Sequence, residues 1–398
     1  MLDTEDRTTT LEEHRQAFPG LHHKVYFNFG GQGPLPQAAI EAIIDAHNYL
    51  QLKGPFSLKI NAWLQKRNAL LRSDLATELQ VNPKTLTLTE NVTAGCNIVL
   101  WGFPWQAGDH ILLTDCEHPG IMAIVREVAK RFNLVIDYAP IRDTLNQGNP
   151  VEVIAQSLEA KTRLVVLSHI LWNTGQLLPL SEIVELCHSY QAGNVQVLVD
   201  AAQSVGVLPL NLTELKADFY AFTGHKWLCG PAGVGGLYIR PEVFTTLRPT
   251  FLGWRGIYED ETDGEFRLRE DGQRFEIATS AYPQYEGLRA ALAIHQEWAT
   301  PIDRYNQICD LSGYLWQKLS NLAEVECLKK SPPQAGLVSF TVQSKLSHAE
   351  IVQALETQGF FLRTLKDPDC LRACVHYFTI PTEIDRLIES LQGIIEGK

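Results

Sequence analysis

The stretch that decides the fold is VQVLVDAAQS at residues 195–204, followed by FTGHKWLCGPAGVGG at 222–236. The run from Val195 to Val199 is almost continuously apolar. Such a run suits a strand covered on both faces, as in a mostly parallel sheet with helices on either side. Asp200 ends that run, and Lys226 follows a second short apolar run, Phe219–Phe222. A lysine at a strand end in apolar surroundings loses its proton readily and becomes a nucleophile toward an aldehyde. A carboxylate such as Asp200 is the partner that keeps a pyridine nitrogen protonated, so that the ring can accept electrons. Taken singly, Asp200 reads as a turn residue and Lys226 as a solvated surface lysine. Together with His225 and the glycines from Gly230 to Gly236, they read as a catalytic pair.

Outward from this stretch the pattern repeats. Short β-rich runs are predicted at Thr85–Thr89, His110–Thr114, Leu134–Tyr138, Arg163–Ser168, Val195–Val199, Phe219–Phe222 and Val234–Ile239. Helical periodicity covers Pro36–Leu52, Phe56–Leu79, Gly120–Phe132, Val151–Leu158 and Leu180–Tyr190. Strands alternating with helices predict an α/β fold. We divide the chain into an N-terminal segment 1–25 packing on a smaller domain, a large α/β domain 26–250, a Gly- and charge-rich connection 251–284, and a small α+β domain 285–398. The last contains helices at 285–298, 301–322, 348–357 and 381–394, with strands at Gly336–Val342, 359–363 and 371–376. Ligands of open α/β sheets bind beyond the carboxyl ends of the strands. That rule points to Thr93, Asp115–His118, Ser168–Asn173, Asp200–Ser204 and Thr223–Lys226.

Net charge is −12, with no basic run, which argues against nucleic acid or an anionic membrane as partner. The N-terminal MLDTEDRTTTLEEHRQAF has no apolar h-region, and no apolar run approaches a bilayer span. A cytoplasmic location is expected. The eight cysteines are scattered with no C-x-x-C, so neither a disulfide framework nor a metal site is expected.

The segments DAAQS and TGHKWLCGPAGVGG resemble those of fold-type I, class V aminotransferase-like pyridoxal-phosphate enzymes, which include the cysteine desulfurases. The likeness runs from YFNFGGQGPLP at 26–36 to HYFTIPTEIDRL at 376–387. It implies a mostly parallel seven-stranded sheet domain plus the smaller α+β domain, and pyridoxal 5'-phosphate as cofactor on a Schiff-base lysine, Lys226. It implies that Thr93 and Ala94 in TENVTAGCN, with Thr223 and His225, hold the cofactor phosphate at a helix N-terminus. His118 in TDCEHPG would stack on the ring and shuttle protons; its other reading is a helix cap. Asn173 and Gln203 would meet the ring hydroxyl, while Trp172 reads as core. Thr279 in RFEIATSAY would reach the phosphate of a neighbouring subunit, implying a homodimer, although Ala278 replaces the usual glycine. Arg372 and Arg363, with Asn28, would bind the substrate carboxylate.

One departure bears on the reaction. Cysteine desulfurases carry a nucleophilic cysteine after the position of Arg363, in segments like R-T-G-x-H-C. Here Arg363 and Thr364 are followed by Leu365-Lys366-Asp367-Pro368-Asp369, and Cys370 is the first thiol after them, two residues before Arg372. This pattern resembles the carbon–sulfur lyase relatives of that family. It implies β-elimination of cystine or cysteine to pyruvate, ammonia and a persulfide or sulfide, with a sulfur acceptor such as an iron–sulfur apoprotein. The alternatives are desulfuration to alanine through Cys370, another reaction of the class (transamination, epimerisation or kynurenine cleavage), and a cofactor-free scaffold.

Overall fold

The computed structural model describes residues 11–190, 195–259 and 265–397. Residues 1–10 of the N-terminal segment and 260–264 of the connection lie outside the described residues.

A seven-stranded sheet organises the chain. Across it the strands run Leu86–Thr89, Gly235–Ile239, Phe219–Thr223, Gln196–Asp200, Thr162–Ser168, His110–Thr114 and Val135–Ala139. Gly235–Ile239 runs antiparallel to both neighbours, and the remaining pairs are parallel. Each run expected from the sequence lies within a residue or two of its strand.

Strand periodicity sends alternate side chains to opposite faces. Leu112, Val165, Leu167, Val197 and Val199 enter one apolar core. Ile111, Leu113, Leu164, Val166 and Leu198 enter another. Burial of each such side chain contributes ~1.5–3 kcal/mol. Covering both faces leaves the carboxyl ends of the strands as the place where polar side chains gather.

A third core holds the small domain, where helices Pro301–Ser320, His348–Thr357 and Pro381–Glu396 pack on a four-stranded antiparallel sheet. Its order is Val325–Cys327, Leu337–Val342, Asp369–Cys374, Arg363–Lys366. The sequence reading differed here. The strand expected at 359–363 is a two-residue strand, Phe360–Phe361, and residues 363–374 form a hairpin in which Arg363 pairs with Arg372. Val325–Cys327 was not anticipated, being too short to show an alternation. The connection contains a short antiparallel pair, Ile257–Glu259 with Phe266–Leu268.

The chain near the N-terminus is built into the small domain. Val25–Tyr26 pairs in parallel with Phe360–Phe361. The carbonyl of Phe27 accepts the Cys374 N–H at 2.7 Å. Asn28 is thereby carried beside the strand that bears Arg372. Among the described residues no helix is long and apolar enough to cross a membrane.

Gly206 has φ +91°, and a Cβ there would lie 2.7 Å from the carbonyl carbon of Trp227. Gly206→Ala should therefore destabilise the fold by roughly 1–3 kcal/mol. Denaturant unfolding measures this; an unchanged midpoint would refute the close approach.

Candidate functional site

Five strand ends and the Arg363–Cys374 hairpin border a cavity of about 490 Å3. Thr93, His118, Asp200, Gln203, His225, Lys226, Arg363 and Arg372 line it, together with Ser168 and Trp172.

Lys226 lies in a turn that begins one residue past Phe219–Thr223. Its backbone is held at each carbonyl. That of His225 accepts Gly33 N–H at 2.8 Å, and that of Lys226 accepts Cys229 N–H at 3.0 Å. The Trp227 carbonyl receives His376 Nε2 at 2.9 Å and the Leu228 carbonyl receives His295 Nε2 at 3.0 Å. A carbonyl only accepts, so both imidazoles carry their hydrogen on Nε2. His295 Nδ1 then accepts from the Tyr377 hydroxyl at 2.8 Å, and that hydroxyl accepts from His14 Nε2 at 2.8 Å. Burial depresses His376 to about 3 and His14 to about 4, so these rings are neutral at physiological pH.

The Lys226 amine makes no hydrogen bond or ion pair among the described residues. Burial is the first cause that pulls it down, to about 8, with Asp200 opposing and Arg372 and Arg363 assisting. Asp200, at the end of its strand, is 6% exposed and accepts the Ala202 N–H at 2.9 Å. Burial pushes its carboxyl upward, and that amide and Lys226 hold it down.

Arg372 is 1% exposed. Its Nη1 donates to the Trp172 carbonyl at 2.6 Å, while Nε and Nη2 are buried without partners. Arg363 faces it across the hairpin, and among the described residues no carboxylate pairs with either. Two guanidinium groups on adjoining strands with unfilled donors make a site for a carboxylate. Asn28 Oδ1 and Asn173 Oδ1 are also buried and unpartnered. Asn173 Nδ2 donates to the Asp367 carbonyl at 3.3 Å.

The remaining residues sort by position. His118 caps helix Pro119–Phe132, its Nδ1 accepting Gly120 N–H at 3.1 Å, and the same exposed ring lines the cavity. The cap reading is met and the ring also borders the cavity, with no hydrogen bond on Nε2 among the described residues. Gln203 is engaged at both ends, donating to the Gly30 carbonyl and accepting from Trp227 Nε1. Thr223 Oγ1 lies 2.6 Å from His225 Nδ1. Thr93 stands in the first turn of helix Val92–Gly102, on the cavity. The Ala94 N–H is already given to Asn91 Oδ1 at 2.9 Å. Ala94 and the exposed Thr279 border a separate concavity with Trp101, Phe251 and Ile277.

Trp172, Ser168 and Glu117 were given no catalytic or binding role by sequence reasoning. Trp172 is site wall rather than core, its ring edge-on to His118 at 5.3 Å between centroids. Ser168 and Glu117 fall within the strand-end positions, but nothing local distinguished them. Cys370 is 0% exposed inside a strand, and burial pushes its thiol up to about 12. That environment does not make a nucleophile.

The arrangement fits a phosphorylated pyridine aldehyde. It combines an amine depressed toward neutrality, a buried carboxylate with one partner, an orphaned amide oxygen at Asn173, and a helix N-terminus at Thr93.

The profile of the Aminotransferase class-V family matches residues 25–382. The chain is 28% identical over 395 residues to the isopenicillin N epimerase of Streptomyces clavuligerus, covering 93% of this chain and 94% of that one. It is 26% identical over 416 residues to a cysteine desulfurase of Escherichia coli O127:H6, covering 97% and 98%. The solved complex between the cystine C–S lyase C-DES and its reaction product cysteine persulfide superposes with a TM-score of 0.92 at 56% identity, covering 94% and 98%. A C-DES mutant with glycine covalently linked to its PLP cofactor gives 0.93 at 55%, covering 95% and 98%.

Condensation of Lys226 with an aldehyde needs the neutral amine. Labelling should therefore rise with pH around a midpoint near 8. Borohydride trapping of a small aldehyde across pH 6–10, with peptide mapping, checks this; a midpoint near ~10.4, the value of free lysine, would contradict the burial argument.

Proposed function

Because this chain belongs to the Aminotransferase class-V family, we propose that it is a pyridoxal-phosphate-dependent carbon–sulfur lyase acting by β-elimination on cystine, and on cysteine. The observation that carries this reading is the hairpin where a desulfurase nucleophile would stand: both of its thiols, Cys370 and Cys374, are buried in a strand, and burial holds Cys370 neutral. The likeness to C-DES at 56% identity supports the same conclusion.

The cofactor is pyridoxal 5'-phosphate, which when bound supplies an aldehyde for amines and a ring that withdraws electrons from the substrate α-carbon. Thr93, Thr223 and His225 would hold its phosphate, Asn173 and Gln203 its ring hydroxyl, and Asp200 its ring nitrogen. Arg372 offers Nε and Nη2 to the α-carboxylate, with Arg363 opposite and Asn28 alongside. Gripping the carboxylate orients the Cα–H bond, and orientation is a large share of the rate. Lys226 Nζ, neutral near pH 8, takes the α-proton. His118 Nε2, uncommitted in the structure, passes a proton toward the departing sulfur. Cystine plus water thus yields pyruvate, ammonia and cysteine persulfide. A persulfide leaves more readily than sulfide, which favours cystine. The released sulfur suits an acceptor such as an iron–sulfur apoprotein in the cytoplasm.

The product assay tests the reading. With cystine the enzyme should form pyruvate and no alanine, and Cys370→Ala should retain full activity. Arg372→Ala should raise KM about 100-fold, roughly 3 kcal/mol, by removing a charge-assisted contact, while the visible cofactor band persists. Alanine formation with a modified Cys370 would overturn the lyase.

A second copy of the chain fits the concavity around Thr279, where Phe251 is 70% and Ile277 46% exposed. Thr279 would there reach the partner's cofactor phosphate. Sedimentation equilibrium should give twice the 44.6 kDa chain mass; a monomer at micromolar concentration would exclude this arrangement.

A further inference from the structure

Glu117 precedes His118, yet its side chain turns into the protein and is 6% exposed. Its Oε1 takes the Thr114 hydroxyl at 2.5 Å and the Ser168 N–H at 3.0 Å, and its Oε2 lies 2.8 Å from Ser168 Oγ. No cation pairs with it among the described residues. Of the titratable groups around it, Asp200 on an adjoining segment of the site carries the same sign. Cys96 on helix Val92–Gly102 is a buried thiol held well above its usual range, hence neutral. A carboxylate buried beside another carboxylate without a counter-charge is costly, and such a group takes a proton instead.

The hydrogen bonds locate that proton. The Ser168 amide can only donate. The Thr114 hydroxyl receives the Cys116 N–H at 3.3 Å, which leaves its own hydrogen for Glu117 Oε1. Both donors fall on Oε1, so the acid hydrogen belongs on Oε2, whose partner is Ser168 Oγ. Once Ser168 accepts there, its own hydroxyl hydrogen must point elsewhere. Ser168 lines the cavity and is the register partner of Asp200 on the neighbouring parallel strand.

We propose that Glu117 is held as a neutral acid that donates to Ser168, turning the Ser168 hydroxyl into a donor aimed into the cavity beside Asp200. The pair is a positioning device for the carboxylate read above as the partner of the ring nitrogen. The consequence for cofactor binding rests on that reading; the protonation state does not. With the acid neutral, Asp200 has a donor beside it and no second negative charge. Loss of the Glu117 proton would pull the Ser168 hydrogen back to Oε2, removing the donor and adding the charge together. Burial places this change at about pH 8.

Infrared difference spectroscopy on the full chain without added cofactor decides the protonation state. Wild type minus Glu117→Gln should show the carbonyl band of a protonated carboxyl at pH 7, fading as pH rises through about 8. In Ser168→Ala the band should persist but shift, because the acid has lost its acceptor. A carboxylate band in place of the acid band, or a band indifferent to Ser168→Ala, would overturn the proposal. Pyridoxal phosphate titration then tests the consequence. Glutamine reproduces the acid's donor and acceptors, so Glu117→Gln should bind within about twofold of wild type at pH 7 and lose the wild-type weakening between pH 7 and 9. Ser168→Ala should bind about fivefold more weakly at pH 7. Glu117→Gln binding as weakly as Ser168→Ala would also overturn it. If no version binds pyridoxal phosphate, the functional reading fails and the infrared result still stands on its own.

Discussion

The site depends on keeping one lysine amine out of water without giving it a salt bridge. Lys226 would be an ordinary cation on a flexible loop. Instead its turn is fixed carbonyl by carbonyl, by Gly33, Cys229, His376 and His295. Those two imidazoles act as neutral donors because they are themselves buried, and Tyr377 extends the chain of bonds to His14 near the N-terminus. A Cβ at Gly33 would lie 2.3 Å from the Lys226 carbonyl oxygen, so that approach is open to glycine alone. The rigidity of the turn is thus assembled from residues spread over most of the chain.

Around this amine the charges are arranged in opposition. One wall carries Asp200. The other carries Arg363 and Arg372, brought together by hairpin pairing and without a carboxylate partner among the described residues. The buried, unmet Nε and Nη2 of Arg372 cost stability unless a ligand meets them. The same hairpin is tied to the large sheet through Arg142, which grips the Asp367 carboxylate with both Nη atoms at 2.7 and 3.0 Å. Its turn is thereby occupied in structural contacts, and Cys370 lies within the adjoining strand rather than on a loop. The hairpin that carries Arg363 and Arg372 leaves no exposed thiol.

Much of the fold was legible in the sequence because the central strands are covered on both faces. Val165, Val166 and Leu167 need no alternation when each side meets an apolar core, so the run itself marks a buried strand. The strand-end rule then placed Asp200, Lys226, His118 and Thr93 on one edge. It was blind to what occupies each side chain. Ala94 gives its amide to Asn91, and Gln203 is bonded at both ends, facts that depend on partners remote in sequence. Trp172 was misread because an aromatic beside a strand end suits a core as well as a cavity wall. The small domain was less legible, since strands as short as Phe360–Phe361 and Val325–Cys327 carry no periodic signal.

The order of residue types along the chain determined the α/β architecture, the lysine–carboxylate pair and the absence of the desulfurase loop motif, because each is a local property of strand runs and turn segments. Tertiary structure alone decided the burial of Glu117, the neutrality of His376 and His295, the pairing of Arg363 with Arg372 and the burial of Cys370. Each of these is set by desolvation and by hydrogen-bond partners that come together only when distant segments pack.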